Sequence, residues 1–325
     1  MINKKEKIVW ILYAAILVFL FLLSSTDLII KEQKNEVYRL SVIIEDSRDE
    51  NYINFRKGMD QAAMDLNADV SFITLYEKNN QEQQVELMLR ERQDGVQALI
   101  ISPVDEESMI NALDENQMHL PVVFLNTDTT GGQASAAVSP DYIDMGRQLA
   151  GEIGRRYTTD VPVYLFGECG RSRIARMFEQ GIQTDLEMMG YEVRLFEKQQ
   201  DGDFGKEIEK LVYPGCQNSI IVALDQAALV ETAAVLADNE VYASYVEGLY
   251  GRGTSMQILN YLERGQITGI CVSDDYAAGY RCVSSAVDLI QNRTPESEYI
   301  RQQSFYIEKA DLRKKEFEKM LYPIE

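Results

Sequence analysis

Three short stretches of this 325-residue sequence carry groups that could do chemistry. Gly167-Glu168-Cys169-Gly170 is a glycine-rich turn, but no Lys-Ser/Thr pair follows it, so a phosphate cradle lacks its cation and its hydroxyl. Cys169 could open a Cys-x5-Arg anion loop, yet Ala175 stands where the arginine is needed. Gly251-Arg252-Gly253-Thr254 either brings backbone N–H groups to an anion at a helix start or simply turns the chain. Asp274-Asp275 either pair as acid and base or cap the helix that starts there. The single histidine, His119, sits in a turn-like stretch just before Pro121. A Ser-His-Asp set and a His/Cys metal site therefore lack their parts. Cys169, Cys216, Cys271 and Cys282 form no Cys-x-x-Cys pair and read as small buried hydrophobes or as disulfide partners. The expectation is a protein that is not an enzyme, with no cofactor and no metal.

Any site must be positioned by the elements around it, and these alternate. Residues 39–44 read as a strand, and Tyr52, Phe55, Met59, Ala62, Ala63 and Leu66 follow at helical spacing. Strands are expected again at 70–75, 98–101 and 121–125, each preceded by a helix-period segment. After a loop and a short extended piece near 130–140 the pattern restarts. Strands are expected at 161–166, 191–196, 219–223, 241–246, 267–272 and 301–308, and a short terminal helix at 311–321 beginning with Asp311. A strand every 25 to 30 residues is the spacing of βαβ units and hence of parallel sheets. The fold class is α/β with two doubly wound, Rossmann-like lobes and a central cleft, because ligands collect at the C-terminal ends of parallel strands. The expected boundaries are 38–137 with 275–303 for lobe 1, 138–274 with 304–311 for lobe 2, and 312–325 for the tail.

The first thirty residues differ from the rest. Lys4, Lys5 and Lys7 precede an uncharged, mostly apolar run over 8–26. A helix of that length is roughly 28 Å long, near the ~30 Å hydrocarbon core. The lysines place its start in the cytoplasm. The expectation is an uncleaved single-pass anchor over 1–30 in the cell membrane, with the body outside the cytoplasm. Leu23-Ser24-Ser25-Thr26-Asp27 is a poor cleavage site for a signal peptide. Three lysines against Glu6 and Asp27 give residues 1–30 a net +1, which leaves −21 on residues 31–325. So acidic a body repels nucleic acid, and no nucleic-acid partner is expected.

In order and spacing these pieces resemble the type 1 periplasmic binding proteins, the ribose- and galactose-binding family whose lobes are shared with the lactose repressors. The resemblance covers nearly all of residues 38–310. It rests on Leu40-Ser41-Val42-Ile43-Ile44 leading to Tyr52 and Gly58, on Ala98-Leu99-Ile100-Ile101-Ser102-Pro103 and on Pro121-Val122-Val123-Phe124-Leu125-Asn126. Gly167, Arg176 and Gly181 follow, then Ala277-Ala278-Gly279-Tyr280. No helix-turn-helix segment precedes Arg39, which argues against a DNA-binding repressor.

The resemblance implies sugar ligands held by polar side chains at strand ends and flanked by aromatic rings. Carried over by position, it implies Asp46, Arg48, Asp49 and Tyr52 in the first loop, where the family often has Asn and Phe. Ser102 falls where Asn or Ser is usual. Asn126 falls where sugar binders often have Asp followed by Arg; here Thr127 follows. Arg176 matches the ligand-contacting arginine. Asp225 lies beside Leu224, a position often Asn. Glu247 replaces the usual Asp, and Ser273 a common Gln or Asn. These departures weigh against simple ribose or galactose specificity. Taken alone, Arg176 is either a guanidinium fork for hydroxyls or a surface residue paired with Glu179. Glu247 is either a pocket acid or a solvated one, and Tyr52 either stacks on a ring or caps its helix stripe.

The expected function is extracytoplasmic binding of a small sugar-like or polyol solute. The lobes would close about crossings near 134–140, 272–275 and 303–305, for delivery to an ABC permease or for signalling to a sensor kinase. The rivals are an exported α/β hydrolase and an adhesion or scaffolding ectodomain.

Overall fold

The computed structural model describes residues 4–25, 37–127, 134–168, 172–199, 202–213, 217–294 and 297–322. The chain divides into two units, Met1–Val37 and Tyr38–Glu325. The first unit holds one helix, α1 (Lys4–Ser25). On it Trp10, Leu12, Tyr13 and residues 16–21 are each between 49% and 70% exposed. The helix expected over 8–26 is therefore present. Among the described residues, however, no helix is long and apolar enough to cross a membrane. The described apolar side chains of α1 are Trp10 and those of 12–21, a shorter stretch than the run counted in the sequence.

The second unit begins with β1 (Tyr38–Ile43), α2 (Ile53–Leu66), β2 (Ala68–Ile73), α3 (Gln81–Gln93), β3 (Ala98–Ile101), α4 (Glu106–Glu115), β4 (Val122–Leu125) and β5 (Ala134–Pro140). It continues with α5 (Tyr142–Arg156), β6 (Val163–Glu168), α6 (Arg173–Met189), β7 (Val193–Lys198), α7 (Phe204–Val212), β8 (Ser219–Ala223), α8 (Gln226–Asp238) and α9 (Glu240–Tyr245). β9 (Val246–Arg252), α10 (Met256–Arg264), β10 (Gly269–Ser273), α11 (Asp275–Ile290), β11 (Tyr299–Gln302), β12 (Ser304–Ile307) and α12 (Lys315–Leu321) complete it.

Two six-stranded sheets result, ordered β11-β5-β4-β3-β1-β2 and β12-β10-β9-β8-β6-β7. The first is parallel throughout; in the second only β12 runs antiparallel, against β10. β3 and β4, and β8 after Ser219, are apolar on both faces because helices cover both sides, while β1 carries Arg39 and Ser41 on the face of Ile43. Leu40 and Val42 enter the cluster under α2 and α11, while Ile43 enters the one under α3 and α4. In β8, Ile220 and Val222 face α5 and α6, while Ile221 and Ala223 face α7 and α8. This is the period of two that pleating imposes. Glycines let the covering helices touch. A Cβ on Gly58 of α2 would stand 1.9 Å from the Tyr276 carbonyl oxygen of α11, and one on Gly181 of α6 would stand 2.1 Å from that of Ile143 in α5.

The chain passes between the sheets three times, from β5 to α5, from β10 to α11, and from β11 to β12. Several elements differ from expectation. In place of the strand expected at 241–246, residues 240–245 form α9, because Asn239 accepts from the Val241 and Tyr242 N–H groups and starts a helical turn. The sheet position goes to Val246–Arg252 instead. The single strand expected at 301–308 breaks at Gln303 into one strand for each sheet. The terminal helix does not begin at Asp311, which closes a capping box with Glu308 around a short turn; α12 begins at Lys315. Cys271 and Cys282 are buried free thiols, and burial pushes both thiols up. Cys169 and Cys216 lie outside the described residues.

Candidate functional site

Strand ends of both sheets converge on a cavity of about 120 Å³. The first lobe supplies Glu45, Asp46 and Arg48 after β1, Tyr52 and Phe55 from the following turn and helix, and Asn126 after β4. The second supplies Asp225 after β8 and Arg252, Gly253 and Thr254 at the end of β9. The crossings add Tyr142, Ser273, Asp275 and Gln302.

On the first lobe, both Glu45 carboxylate oxygens accept from the Tyr52 hydroxyl, at 2.9 and 2.7 Å. The carboxylate keeps some surface toward the cleft but is ringed by protein elsewhere. That desolvation raises its pKa, against the bonds from Ser102 and Tyr52, and the like charge of Asp46 adds to the rise. Asn126 adopts φ 61°, a left-handed conformation that asparagine tolerates. Its Nδ2 reaches the Tyr52 and Ser102 hydroxyl oxygens at 3.4 Å each, and its Oδ1 accepts from the Tyr142 hydroxyl at 2.8 Å. Tyr142 belongs to α5, so that last bond joins the lobes inside the cleft. Asp46 accepts from the N–H groups of Ser47 at 2.7 Å and Arg48 at 3.2 Å, which folds the loop back on itself.

On the second lobe, Asp225 caps α8 by accepting from the Ala228 N–H at 2.9 Å. Arg252 donates from Nε to the Leu224 carbonyl at 3.3 Å, and its guanidinium lies 5.6 Å from the Tyr142 ring centroid. Asp275 accepts from the hydroxyls of Thr254 and Ser273, each at 3.0 Å. Desolvation nonetheless pushes its pKa up to about 6; those two bonds and the Arg252 charge act the other way. Desolvation also raises the Tyr142 hydroxyl. Neighbouring Asp274 is the helix cap, accepting from the Ala277 N–H at 2.9 Å.

Further polar contacts bridge the lobes. Lys78, which lines the cavity, reaches Glu168 at 3.4 Å. Arg173, the first residue of α6, pairs with Glu106, the first residue of α4, at 2.9 Å, and the Thr127 hydroxyl donates to the same carboxylate.

Of the residues named from the sequence, Asp46, Arg48, Tyr52, Asn126, Asp225 and Ser273 line the cavity. Ser102 is buried behind Asn126 and Glu45 and supports them. Three others lie elsewhere. Asp49 forms an ion pair with Arg56 outside the cavity. Arg176 lines a separate groove with Asp105, Glu106 and Arg173. Ile174 faces the cavity, and a residue two positions later lies about 200° around the helix. Glu247 sits near the start of β9, at the opposite end from Arg252, and accepts from the Asn218 amide at 2.7 Å. Taking 241–246 as the strand placed its end one element too early.

Glu45, Tyr142, Arg252 and Asp275 were not singled out as ligand residues. Glu45 directly follows the apolar run 40–44, which is a usable signal. Arg252 is legible in the sequence as part of an anion-binding stretch or a turn, and Asp275 as part of an acid–base pair or a cap. Tyr142 opens a helix after a crossing that only the sheet order reveals.

A family model described as a periplasmic binding protein domain matches residues 40–294. Among curated proteins none matches the sequence. Solved structures share the fold. GanP, a glucose-galactose binding protein from Geobacillus stearothermophilus, is 15% identical with a TM-score of 0.74, over 86% of this chain and 99% of that one. An ABC transporter solute binding protein from Burkholderia graminis C4D1M, in complex with D-arabinose, is 17% identical with a TM-score of 0.77, over 87% and 99%. A LacI transcriptional regulator, described as such only provisionally, from Bacteroides fragilis is 12% identical with a TM-score of 0.73, over 85% and 99%.

Proposed function

We propose that this chain, which belongs to the periplasmic binding protein domain family, is an extracytoplasmic solute-binding protein that closes two lobes on a sugar or polyol. The observation that carries the reading is the cleft itself. Carboxylates, an amide, a guanidinium and aromatic rings from both sheets face one small cavity, and Tyr142 and Asn126 already meet across it. A solute bonded to both lobes at once favours the closed arrangement, which is how binding is converted into motion. Similar folds described with D-arabinose or as glucose-galactose binders support a sugar-like ligand, and their description as ABC transporter components supports delivery to a permease. Helix α1 serves in this reading as a membrane anchor. Its described apolar side chains are exposed, and the lysines at its start favour a cytoplasmic N-terminus.

The test is thermal unfolding of the full-length chain against sugars, polyols, amino acids and nucleosides. A ligand at ~100 times its Kd adds roughly 2.7 kcal/mol, a rise of several degrees. A shift with one sugar or polyol class supports the reading. A shift only with amino acids or nucleosides replaces the ligand class, and no shift across the panel refutes solute binding in the cleft.

A further inference from the structure

After the fold is satisfied, Glu45 has charge left over. Its carboxylate stands at the end of β1 on the cavity wall. Its bonds come from the hydroxyls of Tyr52 and Ser102, which are neutral donors. The charged group that acts on it is Asp46, of the same sign. Among the described residues no ion pair includes Glu45. None of the cations lining the cavity is paired with Glu45 among the described residues: Lys78 reaches Glu168, Arg252 leans on the Leu224 carbonyl and the Tyr142 ring on the Asp275 side, and Arg48 is an exposed residue of the loop after Glu45.

A desolvated carboxylate without a counter-charge is costly, and a ligand that brings the charge offsets that cost. The surroundings also suit a cation. Tyr52 and Phe55, in edge-to-face contact with centroids 5.9 Å apart, line the cavity together with Tyr142, and aromatic faces attract ammonium groups. We propose that the cleft takes a hydroxylated solute bearing a protonated amine, an amino sugar or amino polyol, with the ammonium on Glu45. Its hydroxyls turn toward Asn126, Asp275 and Arg252. The assignment rests on the solute-binding reading above and narrows its ligand class.

The test is calorimetric titration of the full-length chain at neutral pH with glucose, galactose and allose, with the corresponding amino sugars, and with their N-acetyl forms. Acetylation keeps the nitrogen and removes the charge. An amino sugar is expected to bind at least ~tenfold more tightly than both its parent and its N-acetyl form. Glu45→Gln, which keeps an acceptor for Tyr52, should abolish that ratio while the ligand-free unfolding midpoint does not fall below that of the original chain. A neutral parent that binds as tightly as its amine overturns the amine assignment and leaves solute binding intact. A preference that survives Glu45→Gln overturns the role of Glu45. Absence of binding by every compound overturns the amine assignment, while the solute reading stands or falls on the wider unfolding panel above.

Discussion

Replacing Gly58 by alanine should damage the first lobe through one contact. The added Cβ would lie 1.9 Å from the Tyr276 carbonyl oxygen and 2.7 Å from its carbon. A carbon and a carbonyl oxygen rest at about 3.3–3.6 Å, so α2 and α11 must part by roughly 1.5 Å at their crossing. Alanine itself gains about 1 kcal/mol of helix propensity over glycine. Overpacking of this kind costs about 1–3 kcal/mol and occasionally more, and backbone rather than a flexible side chain stands in the way here. Because backbone must move, the cost falls at the upper end, about 3 kcal/mol, and the net expectation is a loss of about 2 kcal/mol. Gly151→Ala in α5 is the internal control. It meets no atom within 4 Å, so only the propensity gain of about 0.5–1 kcal/mol remains. Urea unfolding followed by circular dichroism should move the two midpoints in opposite directions. Because α11 begins at Asp275, the parted helices also carry a cleft carboxylate with them, so Gly58→Ala should weaken ligand binding too. A Gly58→Ala midpoint at or above that of the original chain would refute the close-contact argument.

Other outcomes follow from the cleft. Asp275 has a pKa raised to about 6 by desolvation, so its contribution to stability is fully present below the unfolded value near 3.8 and is lost as pH rises through about 6. Asp275→Asn should flatten the pH dependence of the unfolding midpoint in that window and raise stability at neutral pH by on the order of 1–3 kcal/mol; an unchanged slope argues against a desolvated carboxyl. Tyr142→Phe removes the hydroxyl that donates to Asn126 across the lobes, at an expected cost of about 1 kcal/mol and with a more open chain in small-angle scattering. Scattering identical to that of the parent would mean that this bond does not help to hold the lobes together. Arg252→Ala should weaken solute binding at least ~tenfold, while Arg176→Ala, in the separate groove, should leave affinity unchanged. Calorimetry with the best ligand of the panel checks both, and the reverse ranking would return Arg176 to the site.

The doubly wound pattern was legible because parallel strands covered on both faces are near-continuous apolar runs. Residues 40–44, 98–101 and 219–223 could face only a buried sheet. The glycines that helped to mark the resemblance have a physical reason that becomes visible only in three dimensions. Gly58 and Gly279 meet at one helix crossing and Gly146 and Gly181 at another, and a pattern of residue types does not show which helices cross. The site was legible wherever a strand end had been placed correctly, as at Asp46, Asn126 and Asp225. It was lost at β9. The run Val241-Tyr242-Ala243-Ser244-Tyr245-Val246 has strand-like composition, yet an asparagine cap turns it into a helix, and none of its first five residues is buried. A one-element slip in a parallel sheet does not move a site residue to a neighbouring position; it moves it to the far end of the strand. Glu247 thus lies near the start of β9, while Arg252 stands at its C-terminal end and lines the cavity. The substitution changes the chemistry as well as the place. With Arg252 in the cleft and Glu247 outside it, the second lobe offers a guanidinium at the end of β9 where an acid had been expected. The uncompensated negative charge of the site then lies across the cleft on Glu45, which is the asymmetry that a ligand carrying both hydroxyls and an ammonium would match.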